Sequence, residues 1–195
     1  SSVVIPDELS QRLQLAQSPW SYGAGHFDAE ANRVTKFTPL LHWTGSQWQG
    51  GANLPDPQIG YTLLHANGGH TGENPDHAAV RRFTSPVSGM LSIRGTLHHP
   101  SDNGDGVRGR VVSSRAGLLG SWAVKTISVD TAAVNFAVEP GDLLDFIVDC
   151  NENVTSDSFN WTAIIELKDA AGKVLRSWDS AAGFRGPTTA GLPQQ

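Results

Sequence analysis

Residues 159–167 read Phe-Asn-Trp-Thr-Ala-Ile-Ile-Glu-Leu, and their alternation decides the fold class. Phe159, Trp161, Ala163, Ile165 and Leu167 fall on one side of an extended chain, opposite Asn160, Thr162 and Glu166. Successive side chains of a strand point to opposite faces, so a period of two marks a strand with one buried face. The same period runs through Leu91, Ile93, Gly95 and Leu97, and places Val134, Phe136 and Val138 on one face. Residues 107–113, 117–129 and 143–149 add further runs of strand composition. The clusters His-Pro-Ser-Asp-Asn-Gly-Asp-Gly (99–106), Glu-Pro-Gly-Asp (139–142) and Asp-Ala-Ala-Gly-Lys (169–173) supply turns between them, the last with Gly172 at its tip.

Working back toward the N-terminus, residues 20–80 are dense in Gly, Trp, His and Asn, with apolar runs at 37–43 and 59–66. Trp43 and Trp48 bracket Thr-Gly-Ser-Gln, a tetrad suited to joining two hairpin arms. Residues 53–60 and 66–77 read as loops, the second with glycines that permit positive φ. Arg81 and Arg82 are adjacent in a strand, so only one of them faces a given side. A single helix is expected within residues 7–17, where Leu9, Leu13 and Ala16 share a face and Pro19 follows. About eight to ten strands at spacings of about 8–15 residues predict an all-β, antiparallel β-sandwich of jelly-roll type. One domain is expected over 1–195, with a lead-in at 1–19 and a loose tail from Gly183 to Gln195.

Composition agrees. Of 195 residues, 38% are hydrophobic and only 17% charged, with 21 Gly and 11 Pro, too few charges for the surface of a helix bundle. Six Trp and seven Phe argue against disorder. A net charge of −5 lacks the footprint of a nucleic-acid binder, and no apolar stretch has membrane-spanning length. The one cysteine, Cys150, excludes an internal disulfide and a C-x-x-C-H attachment site, so no haem is expected in this chain. The start at Ser1 is that expected of a processed or excised piece.

No G-x-S-x-G elbow, H-E-x-x-H helix or phosphate loop occurs. His42, His65, His70, Tyr61 and Arg81 are the raw material for a lyase or hydrolase, but they lie in separate segments. His98 and His99 point to opposite faces of one strand and so do not form a metal pair. Oxygen-rich loops hold Asp102 and Asp105 (101–106) and Asp149 and Asp157 (149–158), a composition suited to structural Ca²⁺. The same residues are also ordinary turn formers.

Among the aromatics, Trp161 and Trp122 are in phase with core positions. Trp20, Tyr22, Trp43 and Trp48 instead occur beside Gly, Ser, His and Gln and are expected as an exposed platform. A flat indole suits the C–H face of a sugar ring, and Asn67 and His70 would hydrogen-bond its hydroxyls. Arg81 or Arg82 would clamp an acidic substituent.

Trp20–Asp28 and the stretches 37–51, 54–60, 67–72, 80–86, 103–107 and 157–162 together resemble a domain of large planctomycete proteins. Those chains also carry cytochrome-c-like and uncharacterised planctomycete-specific domains. The resemblance, over residues 20–165, implies a β-sandwich similar to carbohydrate-binding modules, exported to periplasm, cell surface or medium with a larger parent chain. On this reading the module is non-catalytic and its partners are a polysaccharide or oligosaccharide and the parent's other domains. A polysaccharide-processing enzyme and a structural spacer are the alternatives.

Overall fold

The computed structural model describes residues 18–187, so the helix expected within 7–17 and the tail beyond 187 lie outside the described residues. The N-terminal strands are β1 (Trp20–Asp28), β2 (Arg33–Pro39), β3 (His42–Trp43), β4 (Gln47–Gln49), β5 (Leu63–His65) and β6 (Gly68–His70). A 3-10 turn at Pro75–His77 leads into β7 (Ala78–Thr84), β8 (Gly89–His98), β9 (Val107–Ser113) and β10 (Gly117–Val124). Then follow β11 (Ser128–Asp130), β12 (Ala133–Val138), β13 (Leu143–Asp149), β14 (Ser158–Lys168) and β15 (Val174–Asp179).

All pairings are antiparallel and fall into two sheets. One has six strands in the order β10-β9-β13-β7-β1-β2; the other runs β11-β8-β14-β6-β5-β4-β3, with β12 also on β8 and β15 also on β14. The chain is thus an all-β antiparallel sandwich. Phe83, Val111, Leu144 and Phe146 of the first sheet meet Leu91, Ile93, Leu97, Trp161 and Ile165 of the second. Each such side chain contributes about 1.5–3 kcal/mol on full burial. Along β14 the alternation holds as expected: Phe159, Trp161, Ala163 and Ile165 are buried, Asn160 and Thr162 exposed.

The outer face of the six-stranded sheet has a second, smaller cluster of Ala78, Val80, Val112 and Ile147 under Phe27, Val34 and Phe37. Arg82 completes it, paired with Asp145 through two hydrogen bonds of 2.8 and 3.0 Å and lying over the Phe37 ring at 3.9 Å. Burial pushes the Asp145 carboxyl up, and the Arg82 guanidinium opposes that shift.

Several expectations fail for local reasons. The run 117–129 is two strands in different sheets, because Thr126 adopts φ 56° and turns the chain from β10 to β11. Val134 is 72% exposed rather than in line with Phe136 and Val138, since Asn135 (φ 52°) bulges and shifts the register between Ala133 and Phe136. Gly68 and Gly69 sit in β6, not in a positive-φ loop. They are glycine because a Cβ there would overlap the Phe159 and Leu63 carbonyls. Trp122 is half-buried, edge-on to Trp161 at 6.3 Å. Short strands such as β3 to β6 account for the larger strand number.

Candidate functional site: an aromatic groove and an acidic corner

On β1, Trp20 and Tyr22 face inward. Trp20 packs on Phe83 and Phe146 with ring centroids 5.2 and 6.2 Å apart, and both aromatics are buried rather than exposed as expected. Their alternation with Ser21 and Gly23 carries them to the inter-sheet side. The β3–β4 hairpin forms as expected: Trp43 lies opposite Trp48, their rings 5.3 Å apart. Gly45, at φ 105°, and the Thr44 hydroxyl, which accepts from the Ser46 and Gln47 amides, make its turn. Both indoles are half-buried.

The segment 183–187, expected to be loose, closes this corner. Phe184 meets Tyr22 edge-on at 4.9 Å and Trp43 at 5.6 Å. Trp48 Nε1 donates to the Arg185 carbonyl at 2.8 Å. What remains open is a groove of about 530 Å³ lined among others by Trp20, Tyr22, Leu40, Trp48, Arg185, Ser18 and Ser21. Among the described residues no carboxylate lines it. Arg185 and Phe184 were missed from sequence because they sit in a Gly/Pro-rich stretch without periodicity.

Arg81 lies beneath the groove, not in it. It is 4% exposed, with its guanidinium 5.6 Å from the Tyr22 ring centroid and 5.5 Å from that of Phe184. It donates to the carbonyls of Ser180, His65 and Gly68. Burial lowers its pKa to about 10, with Tyr22 opposing the shift. Its donors are committed to main chain, so the expected clamp on a ligand is corrected to an internal strut. Burial also raises the Tyr22 phenol, against the pull of Arg81 and Arg185. The Tyr22 hydroxyl has no hydrogen-bond partner among the described residues.

Asn67 and His70 do not join Trp20, Tyr22 and Trp48 at the groove. Asn67 is exposed at the β5–β6 turn, and its carbonyl accepts from the Trp161 amide. His70 bonds the Thr71 carbonyl through Nδ1 at 2.6 Å and lies 5.8 Å from Tyr61; burial lowers its pKa. The neighbouring His65 is lowered by burial and by Arg81. A second concavity, about 490 Å³, lies over the nine-stranded sheet beside Arg94, Thr96, Asp130, Thr162 and Asp179, and no aromatic residue lines it.

The two oxygen-rich loops meet at another corner. Asp157 is fully buried and accepts from the Thr71 hydroxyl at 3.3 Å. Burial raises its pKa to about 7, helped by the charges of Asp105 and Asp149 and opposed by the Thr71 hydrogen bond. Asp105 accepts from the Glu152 amide at 2.9 Å. Asp149 accepts from the Asn151 amide and pairs with Arg110 at 2.6 Å. Asp102 is exposed.

No family model and no curated protein matches the chain. Among solved structures it is similar to a "PA14 sugar-binding domain from RTX adhesin", with 8% identity and a TM-score of 0.38 over 84% of this chain and 97% of that one. It is also similar to a Podospora anserina GH26-CBM35 beta-(1,4)-mannanase, with 14% identity and a TM-score of 0.29 over 74% of this chain and 28% of that one.

Proposed function

We propose that this domain is a non-catalytic carbohydrate-binding module that holds a saccharide in the groove of Trp20, Tyr22, Trp48 and Arg185. It belongs, on this reading, to a larger exported protein and attaches that protein to a polysaccharide. The observation that carries the reading is the groove itself. The half-buried Trp48 of β4 lines it together with the buried Trp20 and Tyr22 of β1, beside Ser18, Ser21 and the exposed Arg185. Apolar ring surface with a few placed polar groups is what a sugar needs, since its C–H faces stack and its hydroxyls bond outward. Arg185 on the wall favours a sugar bearing a carboxylate or sulfate. Weak single-site affinity is sufficient for a tethered module, because attachment raises the effective concentration of its partner domains.

A panel of neutral, uronic and sulfated oligosaccharides, titrated while tryptophan fluorescence is followed, tests this. Saturable quenching is expected with an acidic member and is expected to weaken several-fold in Trp48→Ala. Absence of saturation across the panel, or release of cleaved product, would replace the reading with a spacer or an enzyme respectively.

A further inference from the structure

Four buried side-chain atoms have no hydrogen-bond partner among the described residues: Tyr22 Oη, His99 Nδ1, Asp105 Oδ1 and Asp157 Oδ1. Three of the four belong to one corner. His99 and Asp157 are both fully buried, and His99 Nε2 bonds the carbonyl of Ser156, next to Asp157, at 2.8 Å. Asp105 reaches the same loop through the Glu152 amide. A buried carboxylate oxygen without a donor is costly, because it has lost water and gained nothing in exchange. Two such oxygens, on loops tied together by the hydrogen bond from the Glu152 amide to Asp105, are better explained by a shared partner than by two separate defects.

A positive partner would satisfy both oxygens at once. Asp149, the third carboxylate of the corner, already has Arg110, whereas no Lys or Arg pairs with Asp105 or Asp157 among the described residues. The loop shape fits as well. Gly104, at φ 74°, lets residues 101–106 come so close to the 150–157 loop that a Cβ would collide with the Thr155 carbonyl. We infer that this corner binds a divalent cation of the calcium type, held by Asp105 Oδ1 and Asp157 Oδ1 between the 101–106 and 150–157 loops. Among the described residues no three His, Cys, Asp or Glu side chains are grouped to hold an ion by themselves. The rest of the shell is therefore assigned to main-chain carbonyls and water. Calcium accepts such a mixed oxygen set, while zinc prefers nitrogen and sulfur and magnesium demands a tight octahedron.

The competing account is that Asp157 is simply protonated and buried as a neutral acid. Thermal unfolding and calorimetric titration of the whole chain with CaCl₂, MgCl₂ or chelator distinguish the two. Saturable calcium binding is expected, with a midpoint several degrees higher in calcium than in chelator and a smaller response to magnesium. Asp157→Asn and Asp105→Asn are each expected to abolish the calcium response. A wild-type midpoint indifferent to calcium overturns the site, and so does a response that survives in both variants. Should a variant fail to fold, the wild-type titration alone decides. The readout is independent of any saccharide.

Discussion

Arg81 and Asp157 are two buried charges at two corners of one sandwich, and the fold treats them differently. Arg81 donates to three carbonyls and lies against both the Tyr22 and Phe184 rings. It has no carboxylate partner among the described residues, yet its donors are used. Among the described residues Asp157 has one hydroxyl donor and one oxygen with no partner. Dipoles and rings suffice to keep the cation charged, with a pKa of about 10, while the anion is pushed to about 7. A buried charge is tolerated in proportion to the groups aimed at it, whether or not an opposite charge is present. At the aromatic corner the orphaned group among the described residues is the neutral Tyr22 hydroxyl and the charge is fully served, whereas at the acidic corner the orphaned oxygens are carboxylate oxygens and call for a component from outside.

The strongest way to break this comparison is to remove the cation. Arg81→Met is expected to cost about 3–5 kcal/mol, because the carbonyls of Ser180, His65 and Gly68 lose their donor and the rings lose their packing partner. Urea unfolding measures it. A loss below about 1 kcal/mol would mean that those carbonyls are satisfied elsewhere and that Arg81 is no strut.

The two tryptophan environments sharpen the same contrast at smaller scale. Trp161 is 3% exposed, edge-on to Phe146 at 5.4 Å, and bonded to the Thr131 hydroxyl at 2.9 Å. Trp161→Ala is expected to cost about 3–5 kcal/mol. Trp48 is half-buried on a three-residue strand and held by one carbonyl, so Trp48→Ala is expected to cost about 1–2 kcal/mol and to act mainly on saccharide affinity. Equal losses in denaturant midpoint would erase the distinction between core and groove.

At the acidic corner the effect is smaller and depends on pH. A carboxyl raised above its unfolded value of 3.8 binds its proton more tightly in the folded state. Its contribution to stability is therefore full below the unfolded value and is lost as pH rises toward about 7. In chelator, the stability of the wild type relative to Asp157→Asn is expected to decline from pH 4 to pH 7, and saturating calcium is expected to flatten that decline. A difference that is constant in chelator would show that Asp157 does not titrate in this window.

The fold was legible where neighbours in sequence are also neighbours in phase: β14, β8, the Trp43–Trp48 hairpin and the Gly172 turn are all read from local alternation and turn chemistry. The groove was legible only in part. Trp20, Tyr22 and Ala24 alternate with Ser21 and Gly23, a strand pattern obscured by the surrounding glycines, and so the rings were expected outside. That only one of Arg81 and Arg82 faces inward follows from period two. Which one does so depends on Asp145, 63 residues away on a partner strand, and no local pattern encodes that. The bulge at Asn135 and the docking of Phe184 are likewise set by distant contacts: Ser92 Oγ accepts from the Asn135 amide, and Tyr22 and Trp43 receive Phe184.

The smallest effect on stability is expected at the second arginine of the groove, and it tests the division of labour between the two. Arg185 is exposed, and among the described residues its guanidinium donates only to the Ala182 and Phe184 carbonyls of its own turn. The contact that fixes Trp48 uses the Arg185 main-chain carbonyl, which any residue supplies. Arg185→Ala should therefore leave the denaturant midpoint within about 0.5 kcal/mol of wild type. An exposed guanidinium acts on a charged ligand through a screened field, so the loss of affinity for an acidic saccharide should be several-fold at low salt and shrink as ionic strength rises. Unchanged affinity at low salt would remove the preference for acidic sugars and leave the aromatic walls as the whole of the recognition surface. A stability loss comparable to that of Arg81→Met would make Arg185 a second strut, and the groove a by-product of packing.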